Sequence, residues 1–490
     1  MYKLSRILTS SISIPKNLLS HHAVCAFKTR HVSALYITGD KARENYVTLQ
    51  PYLDFKGTFE NIELLSNSIE KRKMNIDLKK IQQMFENFKS KAKQIENVEK
   101  EREAIAKQLK EMGKVKDSSS NVETINQLKE NGKDLRNKLK SLKQDFYPVE
   151  DEFCQAFLHL PNLLDRQCPE GEHERILYRS KLSETQPQTQ SHMQHTDLIS
   201  FYDNSRYYLM KEAAKFDIFC TDALVKYFLQ NENFKQTCNP DFVRCVLLEA
   251  NATSLENYHK VEEQHLQNKL NCAYLTGGGS FESYLGAVTK LCVYPSVIPL
   301  KYICSGRLYE KSSPAEPASL YTATQTNAVQ TFVACQNAQQ SEEHMETILN
   351  RCVDFYKSFA NLHFRIVYVK AADLMPSESL RAQIEVYSPH EKRYICVGRV
   401  SNYTDYVSKR ILFTMREQKD YKFLHLVGGP ILFTTRLIAA LIECQEPLDY
   451  KKLMSNLKLK QHQQQQSSNP STNTTNTSNK MFEEFQSLFK

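Results

Sequence analysis

The sequence predicts an α+β protein in which a long antiparallel helical hairpin precedes an antiparallel β-sheet domain flanked by helices. Two observations carry this prediction. Residues 71–146 repeat apolar side chains with the alternating three- and four-residue spacing of a coiled-coil seam. Within 371–400, apolar and polar side chains instead alternate as they do in half-buried strands. A run of strands with few intervening helices favours an antiparallel sheet.

The N-terminal region, residues 1–38, has the composition of a mitochondrial transit peptide. The first acidic residue is Asp40, and the segment before it is rich in serine and in hydrophobic residues. Its basic residues are Lys3, Arg6, Lys16, Lys28 and Arg30. A secretory signal needs an uninterrupted apolar segment, which Ser10, Ser11 and Ser13 break. We therefore expect this segment to direct the chain to the mitochondrial matrix. A basic N-terminal tail without a targeting role is the alternative.

Residues 39–146 form the predicted N-terminal helical domain, and its arm spans about 71–146. The first half of the arm places apolar or small residues at Leu78, Ile81, Phe85, Phe88, Ala92 and Ile95. The second half resumes the pattern at Ile125, Leu128, Gly132, Leu135, Leu139, Leu142 and Phe146. Between the halves, residues 113–121 contain a glycine and three consecutive serines, which are turn formers. Two helices folded back on each other are expected.

The arm is strongly basic. From Lys71 to Lys143 there are 20 Lys and Arg against 11 Asp and Glu, a net charge of +9, whereas the whole chain carries +8. Such a sign bias predicts phosphate binding, although a solvated coiled-coil face or a dimerisation element would also fit. The basic residues expected to contact RNA are Lys79, Lys80, Lys89, Lys91, Lys93, Lys100, Arg102, Lys107, Lys129, Lys133, Arg136, Lys138, Lys140 and Lys143.

Three further segments complete the predicted organisation. Residues 147–175 contain three prolines and a glycine and are expected to be a linker. Residues 176–460 mix strand and helix patterns and are expected to form the sheet domain, with an apolar helix over 431–444. Residues 461–490 are expected to be a disordered Gln, Ser, Asn and Thr tail that ends in a short amphipathic helix.

Several classes of function are disfavoured. The 13 cysteines form no CxxC pair, and His192 with His195 has no second ligand pair nearby, so no metal site is predicted. No G-x-x-x-x-G-K-[ST] loop is present, and no other cofactor is predicted. The most apolar stretch, 431–442, is too short to cross a membrane and contains Arg436.

Five segments, in this order, resemble the class II seryl-tRNA synthetases over roughly residues 40–450. They are Leu160-Pro161-Asn162-Leu163 after the arm, Asn239-Pro240-Asp241 in motif 1, Ile298-Pro299-Leu300-Lys301-Tyr302 before motif 2, the 401–410 stretch that begins Ser401-Asn402-Tyr403, and 425–436 in motif 3. The resemblance implies a class II synthetase-like sheet domain for 176–460, and an arm that grips tRNA(Ser).

The resemblance also implies which residues should handle ATP. An arginine that would hold the α-phosphate is matched by Arg307, and one that would hold the γ-phosphate is matched by Arg436. The family's Glu two residues after the first arginine is Tyr309 here, and the Phe that would stack on adenine is Thr326. The stacking surface and an acidic group of motif 2 are therefore absent.

The remaining matched positions are altered as well. The Mg²⁺-binding Glu becomes Cys396, the Ser two residues later becomes Gly398, and bulky Ile431 and Phe433 stand in place of small residues. The serine pocket retains a match only at Glu282. Loss of one fixed electrostatic contact costs about 2.7–4 kcal/mol of barrier, so the combined losses predict a pseudoenzyme.

The resemblance therefore implies a mitochondrial paralogue that kept the scaffold and lost the ligase reaction. It is expected to bind tRNA, with tRNA(Ser) first, as a homodimer or as a heterodimer with the active mitochondrial seryl-tRNA synthetase. A diverged but active ligase is the alternative within enzymes, and an interaction protein acting through the heterodimer is the alternative outside them.

Overall fold

A computed structural model describes residues 33–37, 49–112, 121–181, 190–261, 272–312 and 316–459. The predicted C-terminal tail and most of the predicted transit peptide lie outside these ranges. Within these ranges the N-terminal domain contains four helices: α1 Phe55–Glu60, α2 Ile62–Lys71, α3 Leu78–Met112 and α4 Asn121–Leu158. The described part of the body contains seven more: α5 Lys211–Glu232, α6 Cys245–Ala250, α7 Glu282–Val288, α8 Ala338–Tyr356, α9 Tyr406–Ile411, α10 Thr434–Glu443 and α11 Tyr450–Asn456.

Helices α3 and α4 form the predicted antiparallel arm. Contacts between them run in opposite directions along the two helices, because residues further along α3 meet residues earlier in α4. Near the body the Phe88 and Phe146 ring centroids are 5.3 Å apart. Further out, Glu99 pairs with Lys143 at 2.8 Å. Further still, a Cβ on Gly132 would lie 3.9 Å from Ile105, so the glycine faces the partner helix.

The arm joins the body through an aromatic cluster. Phe153 is fully buried, and its ring lies 5.0 Å from those of both Phe55 and Phe88. This packing corrects the predicted boundary at residue 147, because α4 continues through Pro148 to Leu158. Pro148 removes one helical hydrogen bond, but the apolar contacts on either side of it keep the helix continuous. The linker therefore begins only after Leu158.

Where the structure describes it, the body is built on one large sheet and three small ones. Its strands are β1 Arg175–Arg179, β2 Ile199–Asp203, β3 Arg206–Leu209, β4 Lys235–Gln236, β5 Phe242–Arg244, β6 His259–Val261, β7 Ala273–Leu275, β8 Cys292–Val293, β9 Leu300–Tyr309, β10 Gln325–Cys335, β11 Phe364–Tyr368, β12 Leu380–Ser388, β13 Arg393–Thr404, β14 Thr414–Glu417, β15 Asp420–Phe423 and β16 His425–Phe433. The large sheet has the order β1-β11-β12-β13-β16-β10-β9-β4 and is antiparallel apart from the β4–β9 pair. The small sheets are β15-β14-β8, β2-β3 and β5-β7-β6.

The main core lies where α5, α8 and α10 pack on this sheet. Its fully buried members include Phe216 and Leu224 of α5, Phe355 of α8, Leu437 of α10 and Ile384 of β12. The strands predicted within 371–400 are confirmed as β12 and β13. The helix predicted from residue 431 is wrong at its start, because 431–433 complete β16 before α10 begins at Thr434. Apolar runs of this kind do not distinguish a buried strand from a buried helix.

Asn162 fixes the orientation of the arm on the body. Its Nδ2 donates to the carbonyl oxygens of Ser377 and Tyr403, both at 2.9 Å. The buried Arg72 guanidinium donates to the carbonyl oxygens of Met375 and Asn162 at 3.0 and 3.2 Å. Because buried carbonyls need partners, these contacts hold the joint in one geometry.

Residues 33–37 pack into the body, although they fall inside the predicted transit peptide. Leu35 is 1% exposed, and the backbone amides of Ala34 and Leu35 donate to the Glu249 carboxylate at 2.9 and 3.0 Å. Cleavage after residue 38 would remove these contacts. A cleavage site before Ser33 would keep these contacts.

Candidate functional site

The arm presents a basic surface along both helices. All of the predicted RNA contacts except Lys91 and Lys143 are exposed. These two instead fasten the hairpin, since Lys143 pairs with Glu99 at 2.8 Å and Lys91 Nζ donates to the Asp145 carbonyl at 3.3 Å. Lys100 pairs with Glu96 within its own helix. The other predicted contacts extend into solvent, where phosphate groups could reach them.

The predicted ATP positions converge at one end of the large sheet. Arg307 and Tyr309 lie on β9, Thr326 on β10, Cys396 and Gly398 on β13, and Arg436 on α10. The register places Arg307 opposite Asn327 and Thr326 opposite Leu308. Glu282 begins α7 close by, because the Gly279 amide donates to the Arg307 carbonyl at 2.9 Å. The structure thus brings together the residues that the resemblance selected.

An apolar cluster occupies the middle of this face. Phe433 is 1% exposed and packs with Leu308 and Ala328, and Cys396 packs against the three. Ile431, which the sequence placed here beside Phe433, lies in the main core instead. Phe433 alone of the two therefore fills this region.

The position of the expected Mg²⁺ carboxylate cannot supply a charge. Burial raises the pKa of the Cys396 thiol above its ordinary value, so the side chain remains neutral at physiological pH. There is no space for a side chain at position 398 that could bind a metal ion, because a Cβ on Gly398 would lie 2.4 Å from the Ile431 carbonyl oxygen.

The arginines of this face are mostly engaged by the protein. Arg436 Nη1 donates to the Cys396 carbonyl at 3.0 Å, and its guanidinium lies 4.6 Å from the Phe433 ring centroid. Arg399 pairs with Glu310 at 2.6 Å. Burial opposes ionisation of Glu310, but the Arg399 and Arg436 charges prevail and lower its pKa. Arg307, by contrast, is exposed.

Glu282 is satisfied from inside the protein. Its Oε1 accepts hydrogen bonds from Asn251 Nδ2 at 3.0 Å and from Thr253 Oγ1 at 3.1 Å, and the side chain is buried. Tyr258 is also buried, and burial together with the Glu282 charge raises the pKa of its hydroxyl. One of the two carboxylate oxygens, Oε1, is thus engaged by two donors of the protein.

Asp217 and Glu443 are among the buried acids that the sequence reasoning missed. Asp217 accepts hydrogen bonds from Asn327 and Thr434, and burial raises its pKa. Glu443 accepts hydrogen bonds from three side chains, including His192 of the HxxH pair. Each acid interrupts the apolar stripe of an amphipathic helix, and that interruption is the signal that could have identified them.

Two features are absent from the described ranges. These ranges contain no group of three or more His, Cys, Asp or Glu side chains placed to hold a metal ion. No helix there is long and apolar enough to cross a membrane.

Comparisons with known proteins agree with this arrangement. A family model of the seryl-tRNA synthetase N-terminal domain matches residues 52–164. The serine–tRNA synthetase-like protein Slimp of Drosophila melanogaster is 54% identical over 456 residues, which are 92% of this chain and 97% of Slimp. Mitochondrial serine–tRNA ligase of Mus musculus is 24% identical over 440 residues, covering 84% of this chain and 82% of the ligase.

Solved structures share the fold. Seryl-tRNA synthetase of Pyrococcus horikoshii, crystallised with ATP, superposes with a TM-score of 0.70 at 18% identity, covering 83% of this chain and 98% of that one. Cytoplasmic serine–tRNA ligase of Naegleria fowleri, in complex with AMP, gives a TM-score of 0.68 at 14% identity, covering 84% and 97%. The predicted α+β fold of a class II synthetase is therefore confirmed.

Proposed function

Because the chain belongs to the seryl-tRNA synthetase family, we propose that it is a non-catalytic member that binds tRNA through its arm in the mitochondrial matrix. Family membership implies tRNA as the partner and a dimer as the assembly. The similarity to mitochondrial ligases and the acid-free N-terminus support the location. We take tRNA(Ser) as the first candidate, since it is the substrate class of the family.

One observation carries the loss of catalysis. Phe433, with Leu308 and Ala328, packs over the part of the sheet where the matched ATP residues converge. ATP chemistry requires fixed positive charge on the phosphates and a carboxylate for Mg²⁺. Here Arg436 is held by a carbonyl and a ring, and a neutral thiol replaces the carboxylate.

Calorimetry with ATP and serine-dependent ATP–pyrophosphate exchange test the catalytic half of the proposal. We expect neither ATP binding nor exchange, even at high protein concentration. Exchange that depends on serine would restore the diverged ligase as the better reading.

A variant of α4 that lacks four basic side chains tests the proposed RNA binding. Lys129, Lys133, Arg136 and Lys140 are exposed on α4, so replacing all four with Gln removes phosphate ligands without touching the seam. Replacing each phosphate contact should reduce the slope of log affinity against log salt by about 1. We expect the variant to bind tRNA(Ser) much more weakly than wild type does, and its affinity to fall less steeply as salt rises. Filter retention at several salt concentrations measures both quantities.

A matched control removes the same charge elsewhere. Lys235, Lys260, Lys392 and Lys419 are exposed on the body, and replacing them with Gln should leave the salt slope nearly unchanged. Equal losses in the two variants would mean that net charge, not the arm, governs binding. Unchanged binding in the arm variant would refute the proposal.

The alternative of an interaction protein has one supporting observation. Phe242 exposes 57% of its surface beside Pro240, in the segment that resembles the dimer-forming motif 1. Phenylalanine is among the residue types enriched at protein–protein interfaces. We expect a homodimer, or a heterodimer with the active mitochondrial seryl-tRNA synthetase, and expect Phe242→Arg to weaken it. Light scattering and co-purification with the synthetase distinguish these assemblies, and a wild-type monomer that retains no synthetase would exclude both.

A further inference from the structure

A small hairpin of the body exposes two tyrosine rings side by side. Tyr202 on β2 is 70% exposed and Tyr208 on β3 is 64% exposed, with ring centroids 6.1 Å apart and planes at 85°. The register shifts between Phe201 and Asp203, so Tyr202 is the bulged residue. A bulge redirects a side chain, and here it lies beside the partner strand's tyrosine.

The hairpin is fixed at its turn. The Asp203 carboxylate accepts the backbone amides of Ser205 and Arg206 at 2.9 and 2.8 Å. The Asn204 carbonyl accepts the Thr324 amide at 2.8 Å, and the Ser205 carbonyl accepts Gln325 Nε2 at 3.1 Å. The hairpin that carries the two rings is therefore already ordered in the folded protein, so a ligand would not have to order it on binding.

The same contacts place the hairpin at the rim of the site described above. Thr324 and Gln325 lead into β10, which carries Thr326. Tyr207, next to Tyr208, donates from its hydroxyl to the Gln325 carbonyl at 2.7 Å. Burial raises the pKa of Tyr207 to about 12, against the opposing charge of Arg307 nearby. Arg307 therefore lies on the Tyr207 side of the hairpin, and the exposed pair occupies the other side.

The exposed rings make little contribution to the core of the body. Phe201, Tyr207 and Leu209 of the hairpin pack against the main core, whereas Tyr202 and Tyr208 do not belong to it. In the described ranges their ring contact is with each other. Their positions are thus available to a ligand.

The size of this surface favours a base over a protein. A stable protein interface buries about 800 Å² on each partner, far more than two rings offer. An unpaired base needs only one open ring face, and such stacking tolerates any base. The basic arm of the same chain supplies the positive charge that a phosphate backbone requires.

We propose that Tyr202 and Tyr208 form a stacking ledge for unpaired bases of a bound RNA. This inference rests on the proposed RNA-binding function, because the arm would hold the RNA body while the ledge holds a single-stranded part. Recognition is by aromatic faces and carries little sequence preference.

The test compares a single-stranded oligouridylate of about eight nucleotides with a blunt RNA duplex of matched charge, using fluorescence anisotropy and the full chain. The Tyr202→Ala/Tyr208→Ala variant should bind the single strand about 10-fold more weakly and the duplex within about twofold of wild type. The Phe variant at both positions should retain most of the affinity, because the ring faces remain. Both residues are exposed, so circular dichroism should show an unchanged fold.

Tyr294→Ala/Tyr421→Ala is the matched control, since these tyrosines are 65% and 61% exposed elsewhere on the body. Single-strand binding by the ledge Ala variant at wild-type strength would overturn the inference, as would an equal loss in the control. Loss of synthetase co-purification with RNA binding intact would instead identify a protein contact and also overturn it. If the wild-type chain binds neither RNA, the proposed function fails together with the ledge. If the ledge variant binds both tRNA and the single strand as strongly as wild type does, the ledge alone is refuted.

Discussion

Replacing Glu443 with Gln should destabilise the body by about 1–3 kcal/mol at neutral pH. Glu443 is 1% exposed. One carboxylate oxygen accepts from His192 Nδ1 at 2.6 Å, and the other accepts from the Tyr321 hydroxyl at 2.8 Å and from the Ser388 hydroxyl. A Gln side chain has one acceptor oxygen and an NH₂ group that can only donate. At least one buried donor therefore loses its partner.

The effect should depend on pH in a defined direction. Burial raises the pKa of Glu443, but the hydrogen bonds from His192, Ser388 and Tyr321 outweigh it, so the pKa lies below its usual value of 4.5. A depressed pKa in the folded state stabilises the protein above the usual value, and this stability is lost as pH falls through the folded-state pKa. The difference in unfolding free energy between wild type and variant should therefore be largest near neutrality and shrink below about pH 4.5.

Urea unfolding followed by circular dichroism at several pH values measures this difference. The control is Glu346→Gln, which changes the same charge at an exposed position on α8, and its effect should stay within about 0.5 kcal/mol. A Glu443→Gln variant as stable as wild type at pH 7, or a difference that grows toward low pH, would refute the network as described.

Three other changes have expected outcomes. Phe433→Ala should lower the unfolding free energy by about 3–5 kcal/mol in urea titrations, because it empties a fully packed position; calorimetry should still show no ATP binding, since Cys396 and Thr326 remain. Asn162→Ala should lower the unfolding free energy by about 1–3 kcal/mol, because the carbonyls of Ser377 and Tyr403 lose the Asn162 donor. It should also raise the rate of amide hydrogen exchange where the arm meets the body. An unchanged exchange rate would contradict the role given to Asn162. The mature chain should begin before Ser33, so that residues 33–37 remain; N-terminal sequencing of the mitochondrial protein checks this, and a start after Ile37 would contradict it.

Most of the arm could be predicted because its structure is local. Helical spacing and a polar break depend on neighbours within a few residues, and both survive in α3 and α4. Pro148 misled the same reasoning, because its local signal is a helix end. The aromatic cluster around Phe153, which only folding assembles, keeps the helix continuous to Leu158.

The candidate site divides in the same way. The resemblance to the seryl-tRNA synthetases selected Arg307, Thr326, Cys396 and Arg436, and the structure places them together. The sequence alone could not assign Ile431 to the main core and Phe433 to the closed face, because the two follow one another at the end of one apolar run.

The sequence by itself determined the basic arm, the α+β order and the loss of acidic and stacking groups from the ATP positions. The arm and the order of elements follow from residue type and spacing along the chain, whereas the altered ATP positions are what the resemblance to the seryl-tRNA synthetases implies. Only the tertiary structure decided that Asn251 meets Glu282, that His192 meets Glu443, and that the Tyr202–Tyr208 hairpin lies at the rim. Such contacts join residues far apart in the chain, and their energies depend on burial, which no single residue type reveals.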